Sequence, residues 1–237
     1  MKGFAGRLIL TVSFALVVAL SAHGQTFITP SGSVAGGQPV DASAMFTLGS
    51  GTLDLTLTNL EANPSSVVQN LSDFSFTLSG ITAGVSLTGA SSSALRSVAG
   101  NGSFTDASGP TTPAAVGWAF STSGGSYTLE VLSGPGHAGP AQTIIGPPGG
   151  GATYSNANGS IAGNGPHNPF LDQSITFVFS IPGLTSSTEI LNPTFSFGTT
   201  AGVDIVGVPL SPVPEPRTIF LVIGGILAMA IMVLRTR

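Results

Sequence analysis

Apolar residues alternate with hydroxyl-bearing ones along much of this chain. In TLDLTLTNL, Leu53, Leu55 and Leu57 alternate with Thr52, Asp54, Thr56 and Thr58. DFSFTLSG does the same with Phe74, Phe76 and Leu78, SITFVFSI with Ile175, Phe177, Phe179 and Ile181, and PTFSFGT adds Phe195 and Phe197. A period of two places all the apolar side chains of a segment on one face of a strand and its hydroxyls on the other. Shorter segments of the same kind are GVSLTG, with Val85 and Leu87, and VDIVGV. In VGWAFSTSGGSYTLEVL, Gly124-Gly125 can turn a hairpin that pairs Trp118 and Phe120 with Tyr127, Leu129 and Val131. Between residues 25 and 212 nothing sustains a capped helical period over ten residues. The pattern therefore predicts an all-β body, a β-sandwich of jelly-roll-like form, because one-sided strands need a second sheet to cover them. Residues 133–170 are too rich in Gly, Pro and Asn for core strands and read as a long surface loop between the halves of the body.

The two ends break this pattern. Lys2 and Arg7 precede an apolar stretch at residues 8–20, and Ala22 and Gly24 are the small residues of a cleavage site before Gln25. That arrangement is an N-terminal signal peptide, residues 1–24, directing the chain to the Sec translocon and signal peptidase. Residues 218–234 carry no charge, and as a helix they measure about 26 Å, the short limit for one transmembrane helix. Arg235 and Arg237 follow, and the positive-inside tendency leaves Pro214, Glu215 and Pro216 on the outer face of the same membrane. The folded body then occupies residues 25–212.

Composition narrows the function. Of 237 residues, 7% are charged and 42% hydrophobic, with 33 Gly, 17 Pro and no Cys. Of the six basic residues only Arg96 lies between 25 and 212, against nine carboxylates there. With no basic face to meet phosphate, nucleic acid is excluded as a partner. Without Cys there are no disulfides, thiol nucleophiles or thiolate metal sites.

Val-Pro-Glu-Pro, a single hydrophobic span and a short arginine tail, in that order, resemble the PEP-CTERM sorting signal of proteins handled by exosortase, a membrane enzyme of Gram-negative bacteria. On this resemblance residues 213–237 form the signal, with the motif at Pro214, Glu215 and Pro216 and the basic tail at Arg235 and Arg237. Its prolines fix an extended backbone without amide donors, which keeps the segment accessible above the membrane. The resemblance implies transient anchoring in the inner membrane and then release or transfer to the cell surface. Arg217 directly after the motif and a tail of only two arginines depart from the pattern.

Candidate chemistry within the body is sparse. His137 and His167, with Asp172 beyond the second, match no metal-ligand spacing, and NANGSIAGNG lacks the carboxylates a calcium loop needs. No serine lies in a Gly-x-Ser-x-Gly elbow, and Glu130 and Glu189 read as single solvated acids rather than a glycosidase pair. Asn70, Asn101 and Asn158 each open an Asn-x-Ser sequence. The sequence thus predicts no enzyme, no cofactor and no metal. It points to a structural protein of the cell surface or extracellular matrix, associated with exopolysaccharide in a biofilm. The alternative is a lectin-like carbohydrate-binding module that presents Trp118, Tyr127, Tyr154 or His167 to a sugar.

Overall fold

The computed structural model describes residues 23–82, 84–200 and 203–210. Ala22, the Pro214-Glu215-Pro216 motif, the apolar run at 218–234 and the tail residues Arg235 and Arg237 lie outside the described residues, whereas Gly24 lies inside them. Among the described residues no helix is long and apolar enough to cross a membrane.

The described chain is all-β. Its strands are β1 (His23–Ile28), β2 (Val34–Ala35), β3 (Gln38–Pro39), β4 (Ala42–Leu48), β5 (Thr52–Asn59), β6 (Leu71–Leu78), β7 (Ser86–Ser92), β8 (Ala94–Val98) and β9 (Phe104–Ser108). There follow β10 (Ala119–Ser123), β11 (Ser126–Glu130), β12 (Ile144–Ile145), β13 (Phe170–Asp172), β14 (Ser174–Ser180), β15 (Ile190–Phe197), β16 (Asp204–Val206) and β17 (Val208–Pro209). One helical turn, α1 (Pro113–Val116), is capped by Thr112 and closed by Gly117 in the left-handed region.

β17, β1, β4, β5, β14 and β7 form a six-stranded sheet in that order. A nine-stranded sheet runs β10-β11-β6-β12-β13-β8-β9, with β15 paired to β6 and β16 to β15. The alternation read from the sequence sets which face of each strand turns inward. Leu53, Leu55 and Leu57 of β5 are fully buried, as are Phe74 of β6 and Phe177 and Phe179 of β14, while Thr52 and Asp54 are exposed. Rings from the two sheets meet edge to face, Phe46 with Phe76 at 5.2 Å and Phe76 with Phe179 at 6.2 Å, so both apolar faces share one core. Each such pair contributes about 0.5–1.5 kcal/mol beyond the area it buries. The β10–β11 hairpin turns on Gly124 (φ 59°) and Gly125 (φ 86°), a two-residue turn whose positive φ angles favour glycine.

Two departures from the sequence reading matter. The first is additional strands. β4 alternates Ala42, Ala44, Phe46 and Leu48 inward, but its two alanines give a weak apolar signal. β8 and β9 carry too few large apolar residues to stand out.

The second concerns residues 133–170, which are a surface loop only in part: 133–137 and 150–152 are exposed, but other stretches are buried. Ile144 is fully buried, pairing with Leu71 of β6 and Leu171 of β13. Ile145, Tyr154, Ile161 and Phe170 form a second, smaller core with Val67 and Val98. A segment this irregular can be buried because neutral amides satisfy its backbone. Asn59 Nδ2 donates to the carbonyls of Gln69 and Ile144, both at 2.9 Å. Asn168 accepts from the Val98 N–H at 2.8 Å and donates to the Asn164 carbonyl at 2.9 Å.

Replacing Ile144 by Ala should therefore cost roughly 2–4 kcal/mol in urea denaturation, the usual range for emptying a packed aliphatic site. Limited proteolysis of the parent, which can nick the exposed residues 133–137, should spare the buried stretch 143–146 until the whole body unfolds. An unchanged denaturation midpoint together with early cleavage there would return the segment to the surface.

Candidate functional site

Two polar clusters stand out among the described residues, one closed and one open. The closed cluster is built on Arg96 in β8. Its side chain is buried, and it donates to both oxygens of Asp106 on β9, at 2.8 and 2.7 Å, and pairs with Asp172 of β13 at 2.6 Å. It also donates to the Tyr154 hydroxyl at 3.2 Å and lies 4.0 Å over the Phe104 ring. Tyr154 passes the chain of bonds on to the Gly146 carbonyl at 2.9 Å. The register makes this possible, because Arg96 sits opposite Asp106 on one side and Phe170 on the other.

Burial works against the guanidinium's charge, but the bonds to Asp106 and Tyr154 outweigh it and raise its pKa. The hydrogen bond from Arg96 holds the Asp106 carboxyl below its ordinary value. At Asp172 burial prevails over the same guanidinium and the pKa rises. Burial also pushes the Tyr154 phenol up to about 12. Each guanidinium nitrogen and the Tyr154 hydroxyl point at a protein partner already described, so the cluster serves to hold the structure.

The open cluster lies on the outer face of the nine-stranded sheet. Glu130 of β11 is directly opposite Asp73 of β6, Asp73 is opposite Ser196 of β15, and Ser196 is opposite Asp204 of β16. Four neighbouring strands thus place three carboxyl groups in one cross-strand row. Ser133 donates to Glu130 and Ser196 donates to Asp204. With Thr199 and Thr200 these residues line a depression of about 450 Å³. Burial, then Glu130 and Asp204, push the Asp73 carboxyl up to about 7, so it keeps its proton close to neutrality. Among the described residues no group of three metal-ligating side chains converges closely enough to hold a metal ion.

The residues singled out from the sequence have other positions. Gly24 is the second residue of β1, opposite Thr47, so that strand begins two residues before the predicted cleavage junction. His137 is exposed, His167 bonds the Ser160 carbonyl at 2.7 Å, and Asp172 is taken by Arg96, so these three do not converge. Glu189 is exposed on the loop before β15 and is no partner of Glu130.

Trp118, Tyr127 and Tyr154 are all buried, their polar atoms donating to the carbonyls of Gln142, Ile81 and Gly146. The rings through which a lectin-like body would stack on sugar therefore face inward. Asn70 is fully buried, and Asn101 and Asn158 each accept from the N–H two residues on, closing turns. The row of Asp73, Glu130 and Asp204 was not legible in the sequence, because only strand register unites residues so far apart. No family profile, curated protein or solved structure matches the chain.

The Asp73 shift has a definite sign. A carboxyl whose folded pKa of about 7 exceeds its ordinary value of 3.8 binds its proton more tightly when folded, so stability falls as pH rises between these values. Asp73→Asn should stabilise the body at pH 8 by on the order of 2–4 kcal/mol relative to its effect at pH 4. Thermal melts of parent and variant across that range decide it, and parallel stability curves would mean that the row carries no linked proton.

Proposed function

We propose that this is an exported surface or extracellular-matrix protein with a structural role, sorted by exosortase and associated with exopolysaccharide. On this reading the body is a β-sandwich of jelly-roll-like form. Residues 1–24 route it through the Sec translocon to signal peptidase, and residues 213–237 anchor it transiently in the inner membrane of a Gram-negative bacterium. Pro214, Glu215 and Pro216 form the processing motif, and Arg235 and Arg237 are the tail that stops transfer. No catalytic role is part of this reading.

The observation that carries it is the outer face of the six-stranded sheet. Cross-strand register aligns Thr26, Met45, Thr56, Thr176 and Ser91 in one row. The rows on either side hold Ile28, Ser43, Thr58 and Ser174, and Gly24, Thr47, Asp54, Val178 and Gly89. The hydroxyls of Thr56 and Thr176 lie 2.9 Å apart, and Asp54 is the one charge in these rows. A face dense in small donors and acceptors, with almost no charge, suits contact with a neutral polyhydroxylated polymer and imposes little repulsion between neighbouring copies. Each exchanged hydrogen bond is worth only about 1 kcal/mol net, so adhesion must come from many weak contacts along a polymer. That is the mode of a matrix component.

In a host with exosortase the mature protein should lose everything from about Glu215 onward, and in a host without it the chain should still end at Arg237. Intact mass of surface-extracted protein reads this directly; a chain retaining Arg237 in both hosts leaves an ordinary anchor. The released body should co-sediment with neutral exopolysaccharide, and the double change Thr26→Glu and Thr176→Glu, which leaves two strands between the new charges, should weaken that several-fold in a body that still melts cooperatively. Equal retention of parent and variant removes this face from the contact.

A further inference from the structure

The two ends of the described body meet at one edge. β17 lies antiparallel to β1, with Ile28 opposite Val208 and Phe27 opposite Pro209, and the Leu210 N–H donates to the Thr26 carbonyl at 2.8 Å. The chain leaving Leu210 therefore heads toward the His23 end of β1, where the chain from residue 22 arrives. The next bonded position along β1 would fall to residue 212, a proline, which has no N–H to donate. Pairing with β1 thus has a chemical stop at Leu210.

This edge is also where apolar side chains face outward. Between β16 and β17 the chain passes from the nine-stranded sheet to the six-stranded one through Gly207, and Val206, Val208 and Leu210 are 64%, 40% and 51% exposed. From Ile205 to Pro214 there is no charged residue. Isolated exposed apolar residues need no account, but three within five residues, where the chain crosses from one sheet edge to the other, form a patch.

The length of the chain beyond it indicates what covers that patch. Residues 211–217 separate Leu210 from the apolar run at 218–234, and they span roughly 25 Å at most when fully extended. A tether this short confines the corner to the immediate neighbourhood of whatever holds the apolar run, at high effective concentration. The body's excess of carboxylates favours a zwitterionic lipid surface over an anionic one.

We propose that the β16–β17 corner, through Val206, Val208 and Leu210, rests in the interfacial layer of the bilayer that residues 218–234 span, so that the anchored body stands on its β1–β17 edge. The inference rests on the reading of 218–234 as a membrane span. It adds that the edge is a second, reversible lipid contact, which brings the body against the membrane next to the processing motif. Release of the tether lowers the effective concentration and frees the corner, because three aliphatic side chains are too few for stable anchoring without a second signal.

The absence of cysteine makes the test clean. Val206→Cys and Val208→Cys, with Ser123→Cys at the tip of the β10–β11 hairpin as reference, each receive a single environment-sensitive fluorophore. The exported, signal-peptide-processed chain from a host without exosortase is reconstituted into phosphatidylcholine vesicles containing a nitroxide-labelled lipid. The expected result is co-flotation with vesicles and at least three-fold stronger lipid quenching at 206 and 208 than at 123, lost when residues 213–237 are cleaved off. If the chain floats but the three labels quench alike, the corner does not touch lipid, although the span stands. A chain that fails to float removes the span reading and this inference with it. Protection at 206 and 208 that depends on protein dilution but not on lipid quencher would assign the patch to a second copy, which also overturns the proposal.

Discussion

Arg96 binds Asp106, Asp172 and Tyr154 at once, and through them it fastens β8, β9, β13 and the irregular 133–170 segment into one unit. A buried guanidinium is costly unless its donors are used, and removing any one partner leaves charge uncompensated in a poorly hydrated place. The body has no other arginine or lysine with which to repair such a loss. Arg96 reaches the segment between β11 and β13 through Tyr154, with the stacked Phe104 ring and the Tyr154–Gly146 bond completing its surroundings. Elsewhere the chain satisfies buried polar groups with neutral amides. Asn59 and Gln69 are buried in β5 and just before β6, and both donate to main-chain carbonyls of other segments.

This division explains what could be read without coordinates. Alternation of Leu and Phe with Thr and Ser located β5, β6, β14 and β15, since one-sided burial is the only environment that such a pattern fits. Turn chemistry located the β10–β11 hairpin. By contrast, the buried part of residues 133–170 depends on amide pairings across long sequence separations, and no local rule signals that Asn59 will bond the Ile144 carbonyl or that Asn168 will take the Val98 N–H. Gly and Pro marked irregular backbone correctly, but irregular backbone is exposed only when nothing satisfies it.

The candidate site followed the same logic. Each carboxylate of the row on β6, β11 and β16 looks in isolation like an outward, solvated acid, and the alternation does place each on the outer face of its strand. Their meeting is a property of register, which one residue of slip would abolish. The cost of such a row falls on its central member. Asp73 faces Glu130 on one side and Ser196, with Asp204 beyond it, on the other, and among the described residues it pairs with no cation, whereas Glu130 and Asp204 each receive a serine hydroxyl. Retaining the proton on Asp73 is the cheapest resolution, and it turns an electrostatic conflict into a neutral acid flanked by two hydrogen-bonded carboxylates.

The two sheets thus turn different chemistry outward, hydroxyl rows with a single carboxylate on the six-stranded side and a proton-retaining carboxylate row on the nine-stranded side. The chain passes from one to the other at its C-terminal corner, where Asp204 closes the acidic row and Val206 and Val208 follow with exposed apolar side chains. That order has a mechanical consequence. β16 is a three-residue edge strand paired with β15 alone, with Ile205 packed against the core, and its first residue faces the repulsion that deprotonation of Asp73 would create. The described chain ends after β17, a two-residue strand paired only with β1, so tension applied at Leu210 will open β17 and then β16 before it disturbs the aromatic core.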